Sequence, residues 1–570
     1  MDEPLIQFAN FGFRYNAQAE PTLYDINLSI RRGEKVLICG ISGCGKSTLA
    51  HCINGLIPFS YRGEMQGSLK ICGKETRELD LFRISRHVGT VLQDSDGQFI
   101  GLTVAEDIAF ALENDCVEDP ELHERVLQTA KLVDVDTRLT NSPFDLSGGQ
   151  KQRVSLAGIM VNDVDIFLFD EPLANLDPST GKYAIELIDE IRNKTGAAVL
   201  IIEHRLEDVL HRDVNRIVLM SGGRIVADLP PDELLCSGLL EEHGIREPLY
   251  LTAMKYAGVK LHPEQNVHSI RTLQLSSKEK ETIRAWSGST PKAGQKPDQP
   301  VLLEVRDLDF AYQNKDHLTL KKCSLQIREG ELTAIAGKNG AGKSTFAKVL
   351  CGFEHQQKGK ILFAGEDLEE ASIKERADRI GYVMQNPNQM ISKTMIFDEV
   401  ALGLRSRNVA EEEVKRRVEE TLKICGLWPF RSWPISALSY GQKKRVTIAS
   451  ILVLEPRLII LDEPTAGQDY RHYTEIMEFL TELNRRGITV LMITHDMHLM
   501  LEYAERALVF LDGQLIADDS SSAILTDRET VNRANLKETS LYDLAVLCEI
   551  SDAQEFVQGF IDFEKREKRG

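Results

Sequence analysis

Two stretches hold the residues best suited to chemistry in this chain: GISGCGKST from Gly40 and GKNGAGKST from Gly337. Both fit G-x-x-x-x-G-K-S, in which glycines let the backbone curl until successive N–H groups and the next helix N-terminus face phosphate oxygens. The cradle would use Gly40, Ser42, Gly43, Cys44, Gly45, Lys46, Ser47 and Thr48 in one copy. Gly337, Asn339, Gly340, Ala341, Gly342, Lys343, Ser344 and Thr345 repeat it. Lys46 and Lys343 would reach the β- and γ-phosphates, and Ser47 and Ser344 would ligate magnesium. The framing matters as much as the glycines. Val36 to Cys39 reads as a buried strand before the first loop and Leu49 to Ile53 as a helix after it, and Leu332 to Ala336 and Phe346 to Leu350 frame the second. One match can arise by chance; two in the same frame point to phosphate binding.

Further along, four apolar residues run into Asp170-Glu171 and again into Asp462-Glu463, each pair followed by proline. A buried strand would deliver these carboxylates to its C-terminal end, where ligands bind in open α/β sheets. The aspartates are placed to hold magnesium through water. The glutamates are candidate general bases for the attacking water, a role worth about 10²- to 10⁴-fold. The structural alternative is a buried salt-bridge hub. Strands ending at His204 and His495 add a histidine to each set, read as a sensor of the terminal phosphate, although a lone histidine is usually structural.

The elements that must position these groups occur twice. The phosphate loops are 297 residues apart, whereas LSGGQKQR at Leu146 and LSYGQKKR at Leu438 are 292 apart, as are Glu171 and Glu463. IREPLYLTAMKYAG from Ile245 and LKETSLYDLAVLCEI from Leu536 set Tyr250 opposite Tyr542, again 292 apart. The expected organisation is a first domain over 1–235, a helical extension over 236–275, a flexible linker over 276–300, a second domain over 301–520 and a helical extension over 521–570. Alternating strand and helix patterns predict an α/β fold in each domain. From Trp286 to Pro300 the chain mixes Gly, Ser, Pro and polar residues without a hydrophobic period, as linkers do. In the tail, Leu536, Leu541, Leu544, Leu547 and Ile550 have helical spacing. With Ile245 to Gly258 they would form a clasp under the two domains, or pack within each.

At 570 residues the chain can build several cores, and 42% hydrophobic residues exclude disorder throughout. Its 68 basic and 87 acidic residues give a net charge of -19, which repels phosphate backbones and speaks against a nucleic-acid partner. The acidic surface suits basic partners, or serves solubility alone. No run approaches the ~20 apolar residues that span a bilayer, and no secretory signal opens the chain, so it is expected to stay in the cytosol. Ten cysteines without a C-x-x-C pair argue for reduced thiols rather than a zinc site or disulfides.

With LSGGQ and LSYGQ added, these residues resemble the nucleotide-binding domains of ABC ATPases over nearly the whole chain, twice. The resemblance implies two phosphate-loop ATPase domains, each with a RecA-like core, an antiparallel β subdomain and a helical subdomain, binding ATP and Mg2+. Tyr15 and Tyr312, each 25 residues before its loop, would stack on adenine. Gln93 and Gln385 would touch magnesium and couple to a membrane partner, and Leu173 to Asp177 with its counterpart ending Gln468-Asp469 would communicate between sites. Signature residues Ser147, Gly148, Gly149 and Gln150 would serve the second phosphate loop, and Ser439, Tyr440, Gly441 and Gln442 the first, because in this family two units pack head to tail around ATP. Tyr440 stands where a glycine is usual, which removes backbone freedom but keeps the N–H. Metal ligands would be Ser47, Gln93, Asp170, Ser344, Gln385 and Asp462; Glu171, His204, Glu463 and His495 would be catalytic at two competent sites of unequal rate. Cys44, beside Lys46 at a helix N-terminus that lowers thiol pKa, is expected to react with alkylating agents unless ATP covers it, or simply to fill the loop as a small buried residue.

Gln93 to Phe99 and Gln385 to Met390 are similar to segments of energy-coupling factor and cobalt-type importers. Acidic amphipathic runs follow at Thr103 to Ile108 and Ile396 to Val400, where the helical subdomain would face the membrane partner. The resemblance implies an ATPase peripheral to the cytoplasmic face of a prokaryotic cell membrane. It would drive uptake of a vitamin, a vitamin precursor or a metal ion through a transmembrane coupling protein and a small substrate-binding membrane subunit. Two alternatives stand beside it. A soluble ABC translation factor acting on the ribosome would carry a long charged arm between its units, and the tandem ATPase of a sugar importer usually has one degraded site. Nothing in the sequence names the solute.

Overall fold

The computed structural model describes residues 3–92, 97–146, 148–173, 176–289, 299–312, 317–465, 468 and 470–567. The chain divides into two compact units, Met1–Thr282 and Ile283–Gly570. Among its described residues the first makes ten strands: β1 (Ile6–Tyr15), β2 (Leu23–Ile30), β3 (Lys35–Gly40), β4 (Gly63–Ile71), β5 (Lys74–Glu75), β6 (Val88–Val91), β7 (Ile166–Asp170), β8 (Ala198–Ile202), β9 (Arg216–Ser221) and β10 (Arg224–Leu229). They form a four-stranded antiparallel sheet in the order β2-β1-β4-β5 and a six-stranded sheet in the order β10-β9-β3-β8-β7-β6. The larger sheet is parallel apart from its β10/β9 edge pair. Strands β3 and β8 are buried on both faces, which is why they read as unbroken apolar runs. The strand β2, with one wet face, alternates instead.

The second unit repeats the plan with β11 (Val301–Phe310), β12 (Leu320–Arg328), β13 (Leu332–Ala336), β14 (Lys358–Phe363), β15 (Glu366–Asp367), β16 (Ile380–Val383), β17 (Leu458–Asp462), β18 (Thr489–Ile493), β19 (Arg506–Leu511) and β20 (Gln514–Ser520). Its sheets run β12-β11-β14-β15 and β16-β17-β18-β13-β19-β20, the same neighbours as before. In each unit one apolar cluster joins both sheets to the phosphate-loop helix: Phe11, Ile38 and Leu200 meet Leu49 and Ile53 in the first, Leu308, Ile335 and Leu491 meet Phe346 and Leu350 in the second. That clamps the helices Lys46–Ile53 and Lys343–Leu350 between two sheets and fixes the loops before them.

The helical subdomains are built from Val104–Asn114, Asp119–Leu132 and Gly148–Met160, and from Ile396–Arg405, Glu411–Ile424 and Tyr440–Leu452. A capping box starts the first: Thr103 accepts from the Glu106 N–H while Glu106 accepts from the Thr103 N–H. No helix among the described residues is long and apolar enough to cross a membrane.

Two ion pairs distinguish the units. Lys35, fully buried at the start of β3, sets its Nζ 3.3 Å from Asp189 Oδ1. Burial pulls its pKa below the usual lysine range against the attraction of that carboxylate. Leu332 and Thr481 take these two places in the second unit. The other pair, Arg32 with Asp165, recurs with its charges exchanged as Glu329 with Arg457.

The flexible linker expected over 276–300 needs correction. Ser277–Ser289 is a helix. Ile283 is buried, Arg284 pairs with Glu549 at 2.8 Å, and the Trp286 indole meets the rings of Phe556 and Phe563 edge-on. Two apolar anchors three residues apart override the polar composition around them. Residues 290–298 of that stretch lie outside the described residues. In the extensions, Tyr250 is buried and its hydroxyl donates to the Val267 carbonyl, while Leu541 and Leu544 are buried in a helix packed on Ala553–Glu567.

Candidate nucleotide site

Strand β3 ends at Gly40, and six residues later Lys46 opens the helix. A side chain on Gly40 would place its Cβ 2.4 Å from the Met220 carbonyl oxygen, and on Gly337 2.2 Å from that of Phe510, so the close approach requires glycine. Gly45 and Gly342 sit at φ 105 and 102°, where a side chain is strained. Each loop closes around its own lysine. Lys46 Nζ donates to the carbonyls of Gly40 at 2.8 Å and Ile41 at 3.0 Å, and Lys343 to those of Gly337 at 2.7 Å and Lys338 at 3.0 Å. Both lysines are buried.

A tyrosine packs against the first turn of each loop helix. The hydroxyls of Tyr15 and Thr48 share a hydrogen bond of 3.0 Å, those of Tyr312 and Thr345 one of 3.3 Å. Phe13 and Phe310 stand edge-on to them, with centroids 4.8 and 4.9 Å away.

Strands β7 and β17 deliver the carboxylates as the apolar runs imply. Glu171 and Glu463 have φ of 50 and 46°, a left-handed conformation unusual for a non-glycine residue and a form of strain that concentrates at functional sites. Their N–H groups donate to Ile202 and Ile493 carbonyls at 2.9 and 3.0 Å, which holds that geometry. His204 Nε2 lies 2.8 Å from Glu171 Oε1, and His495 Nδ1 lies 2.7 Å from Glu463 Oε1. Burial and the adjacent Glu171 push the Asp170 carboxyl up to about 6. Asp462 is raised by burial as well, against hydrogen bonds from the Tyr382 hydroxyl at 2.9 Å and from Ser344. A serine hydroxyl beside a buried carboxylate is a set of hard oxygen donors that fits magnesium.

The signature serine Ser439 caps its helix, its side chain accepting from the Gln442 N–H while Gln442 accepts from the Ser439 N–H; Gly441 lies in the first turn. Gly148, Gly149 and Gln150 open the corresponding helix of the first unit. Gln93, Ser147, Ala174, Asn175 and Asp469 lie outside the described residues.

Lys444 and Glu203 join the site without having been singled out in the sequence, and Tyr440, already expected there, gains a partner. Lys444, almost fully buried, donates to the carbonyls of Met384 at 2.8 Å and Gln385 at 2.6 Å. Burial lowers its pKa to about 8 against the pull of Asp462 and Glu463. Tyr440 reaches the same Gln385 carbonyl at 3.3 Å, so the residue that departs from the signature pattern ties it to the glutamine loop. Glu203 is buried and accepts from the Leu173, His204 and Arg205 N–H groups. The Lys444 signal was a difference between repeats, since Gln152 stands there in the first.

The expected reactivity of Cys44 is corrected by burial. It is 3% exposed and belongs to the apolar cluster of the first unit, so its neighbour Lys46 does not make it accessible. Elsewhere Cys72, His87 and Asp165 offer ligand atoms within 4.8 Å of one another. Arg32 already pairs with Asp165, and burial with that carboxylate nearby raises the Cys72 thiol to about 11, so this is an ion-pair cluster with a protonated thiol.

Residues 23–174 and 320–466 match the profile of the ABC transporter family, and residues 237–310 a profile described as an ATP-binding cassette cobalt transporter. A Clostridium perfringens protein named as an ABC transporter ATP-binding protein is 58% identical over 98% of both chains. The chain belongs to the ABC transporter family. An Enterococcus faecalis protein named in the same way is 56% identical over the full length of both. A solved ABC structure, that of cbiO1 from Clostridium perfringens, part of the transporter complex cbiONQ, is 34% identical with a TM-score of 0.39 and covers 44% of this chain and 99% of its own. As an ABC ATP-binding protein the chain is a tandem ATPase that binds ATP and hydrolyses it to power transport.

Proposed function

We propose that this chain is the fused ATP-hydrolysing subunit of an energy-coupling-factor-type importer for a small micronutrient: a vitamin, a vitamin precursor or a metal ion. The observation that carries the reading is the cobalt-transporter profile over residues 237–310, which lies outside the two ATPase matches. Two intact glutamate–histidine pairs support it against the sugar-importer alternative.

In this reading Tyr15 and Tyr312 stack on adenine, and Lys46 and Lys343 bind the terminal phosphates. Ser47 with Asp170 and Ser344 with Asp462, joined by Gln93 and Gln385, would hold magnesium. That ion, when bound, neutralises charge on the β- and γ-phosphate oxygens. Glu171 and Glu463 take a proton from the attacking water. His204 and His495 orient those carboxylates, a reading supported by their contacts of 2.8 and 2.7 Å, and sense the γ-phosphate. The membrane partners are a transmembrane coupling protein and a small substrate-binding subunit, and the chain sits at the cytoplasmic face.

The test is co-purification of the tagged chain from its native membranes in detergent, with identification of the bound proteins. A polytopic protein together with a small hydrophobic partner is expected. Recovery of ribosomes, or of soluble protein alone, would overturn the importer reading while leaving the ATPase in place.

A further inference from the structure

The shift from an offset of 297 at the phosphate loops to 292 at later landmarks means that the first unit has five extra residues between them. Gly67 and Gly359, at φ 70 and 94°, mark the same bend. A Cβ there would lie 2.1 Å from the Asn10 carbonyl oxygen or 2.5 Å from that of Arg306. Gly67 follows Gly55 by twelve residues and Gly359 follows Gly352 by seven, which locates the insertion after the phosphate-loop helix and before the Gly67 bend, a span that includes the start of β4. It lengthens β4. That strand pairs with β1 as far as Tyr15 opposite Gly63, whereas β14 ends its pairing at Asp309 opposite Lys358.

The added turn carries Tyr61. Its ring stacks on His51, centroids 4.9 Å apart and planes 18° from parallel, and stands perpendicular to Tyr15 at 6.3 Å. Tyr61 remains 45% exposed. His51 is a half-buried backing for it, and burial pulls the imidazole pKa down, which favours the neutral ring. The second unit has Lys348 at the place of His51. An aromatic left in water yet backed by a second ring, beside the tyrosine at the nucleoside end, is arranged as a stacking surface.

We propose that Tyr61, backed by His51, is a second base-contacting ring of the first nucleotide site, forming with Tyr15 a right-angled corner for a purine. The proposal rests on the reading of Tyr15 as the adenine platform. It makes the first site the more selective for a nucleotide over a bare polyphosphate, because the corner touches the base and not the phosphates.

The test uses the full chain carrying Lys343→Ala, which silences the second phosphate loop. Calorimetric titration with MgATP and with inorganic tripolyphosphate then reports the first site. Tyr61→Ala is expected to weaken ATP binding about 3- to 10-fold while tripolyphosphate affinity holds, and Tyr61→Phe to restore ATP affinity. Tyr61 is exposed, so these substitutions remove no core packing. Unchanged ATP affinity in Tyr61→Ala, or equal weakening of ATP and tripolyphosphate, would overturn the proposal. Tyr15→Ala separates the two readings. If it weakens ATP binding where Tyr61→Ala does not, only the Tyr61 assignment fails; if neither does, the adenine platform fails too.

Discussion

Replacing Lys35 and Asp189 by the residues of the second unit turns the internal repeat into a thermodynamic experiment. Lys35 has no exposed surface and Asp189 is 17% exposed, with Nζ and Oδ1 3.3 Å apart. Asp189→Thr strands a buried ammonium with Arg192, which is 3.5 Å from Asp189, as its like-charged neighbour. Removing one member of a buried pair costs about 3 kcal/mol or more. At about 2–4 °C per kcal/mol for a domain of this size, the first unit should melt about 6–12 °C lower. Lys35→Leu should cost about 1 kcal/mol or less, because Asp189 keeps both Arg192 and water. The double variant should recover most of the loss, since it copies Leu332 and Thr481. Differential scanning calorimetry without nucleotide is the assay, and the affected transition is the readout because a two-unit chain is not two-state. The pH dependence has a definite sign. The stranded lysine has a depressed pKa when folded, so the unfolded state binds more protons and stability rises with pH towards the ordinary lysine value of about 10.4. Equal effects of the two single variants, additive losses in the double, or a fall in stability with rising pH would each refute the reasoning.

Glu171→Gln and Glu463→Gln should each lower single-turnover ATP hydrolysis, by about 10²-fold or more at the altered site; a variant that keeps the full wild-type rate would show that its site is idle. Iodoacetamide should label the exposed Cys116 and spare the buried Cys44 with or without MgATP, and labelling of Cys44 in the native protein would mean that the loop opens. Trp286→Ala should lower the melting temperature of the second unit, because its ring meets Phe556 and Phe563, while Trp433→Ala, 47% exposed, should not.

Much of the fold is written locally. The apolar runs at Val36 to Cys39 and before Asp170 could only be doubly buried strands once a phosphate loop and a carboxylate pair followed them. Depth and backbone path are different. Spacing put Cys44 beside Lys46, but only the packed sheets show that the thiol is closed off. The left-handed φ of Glu171 and Glu463 depends on how β7 and β17 meet the turn after them, which no residue type announces. Lys444 looked like any helix lysine until its ammonium was found on the Met384 and Gln385 carbonyls. The helix Ser277–Ser289 was hidden because Ile283 and Trp286 are sparse anchors in a polar stretch. The five-residue insertion was visible as arithmetic, yet its position beside Tyr15 required the strand register.

The exchanged ion pairs carry a consequence for how this chain reaches its native state. Homologous units on one polypeptide can trade elements during folding, a characteristic failure of repeat proteins. If the turn before β3 docked against β17, Arg32 would meet Arg457; the reciprocal error would set Glu329 against Asp165. Correct assembly gives two attractions, crossed assembly two repulsions. With each exposed contact worth at most about 1 kcal/mol, the discrimination could approach 4 kcal/mol. The charges thus act as an address that tells each half which strands are its own.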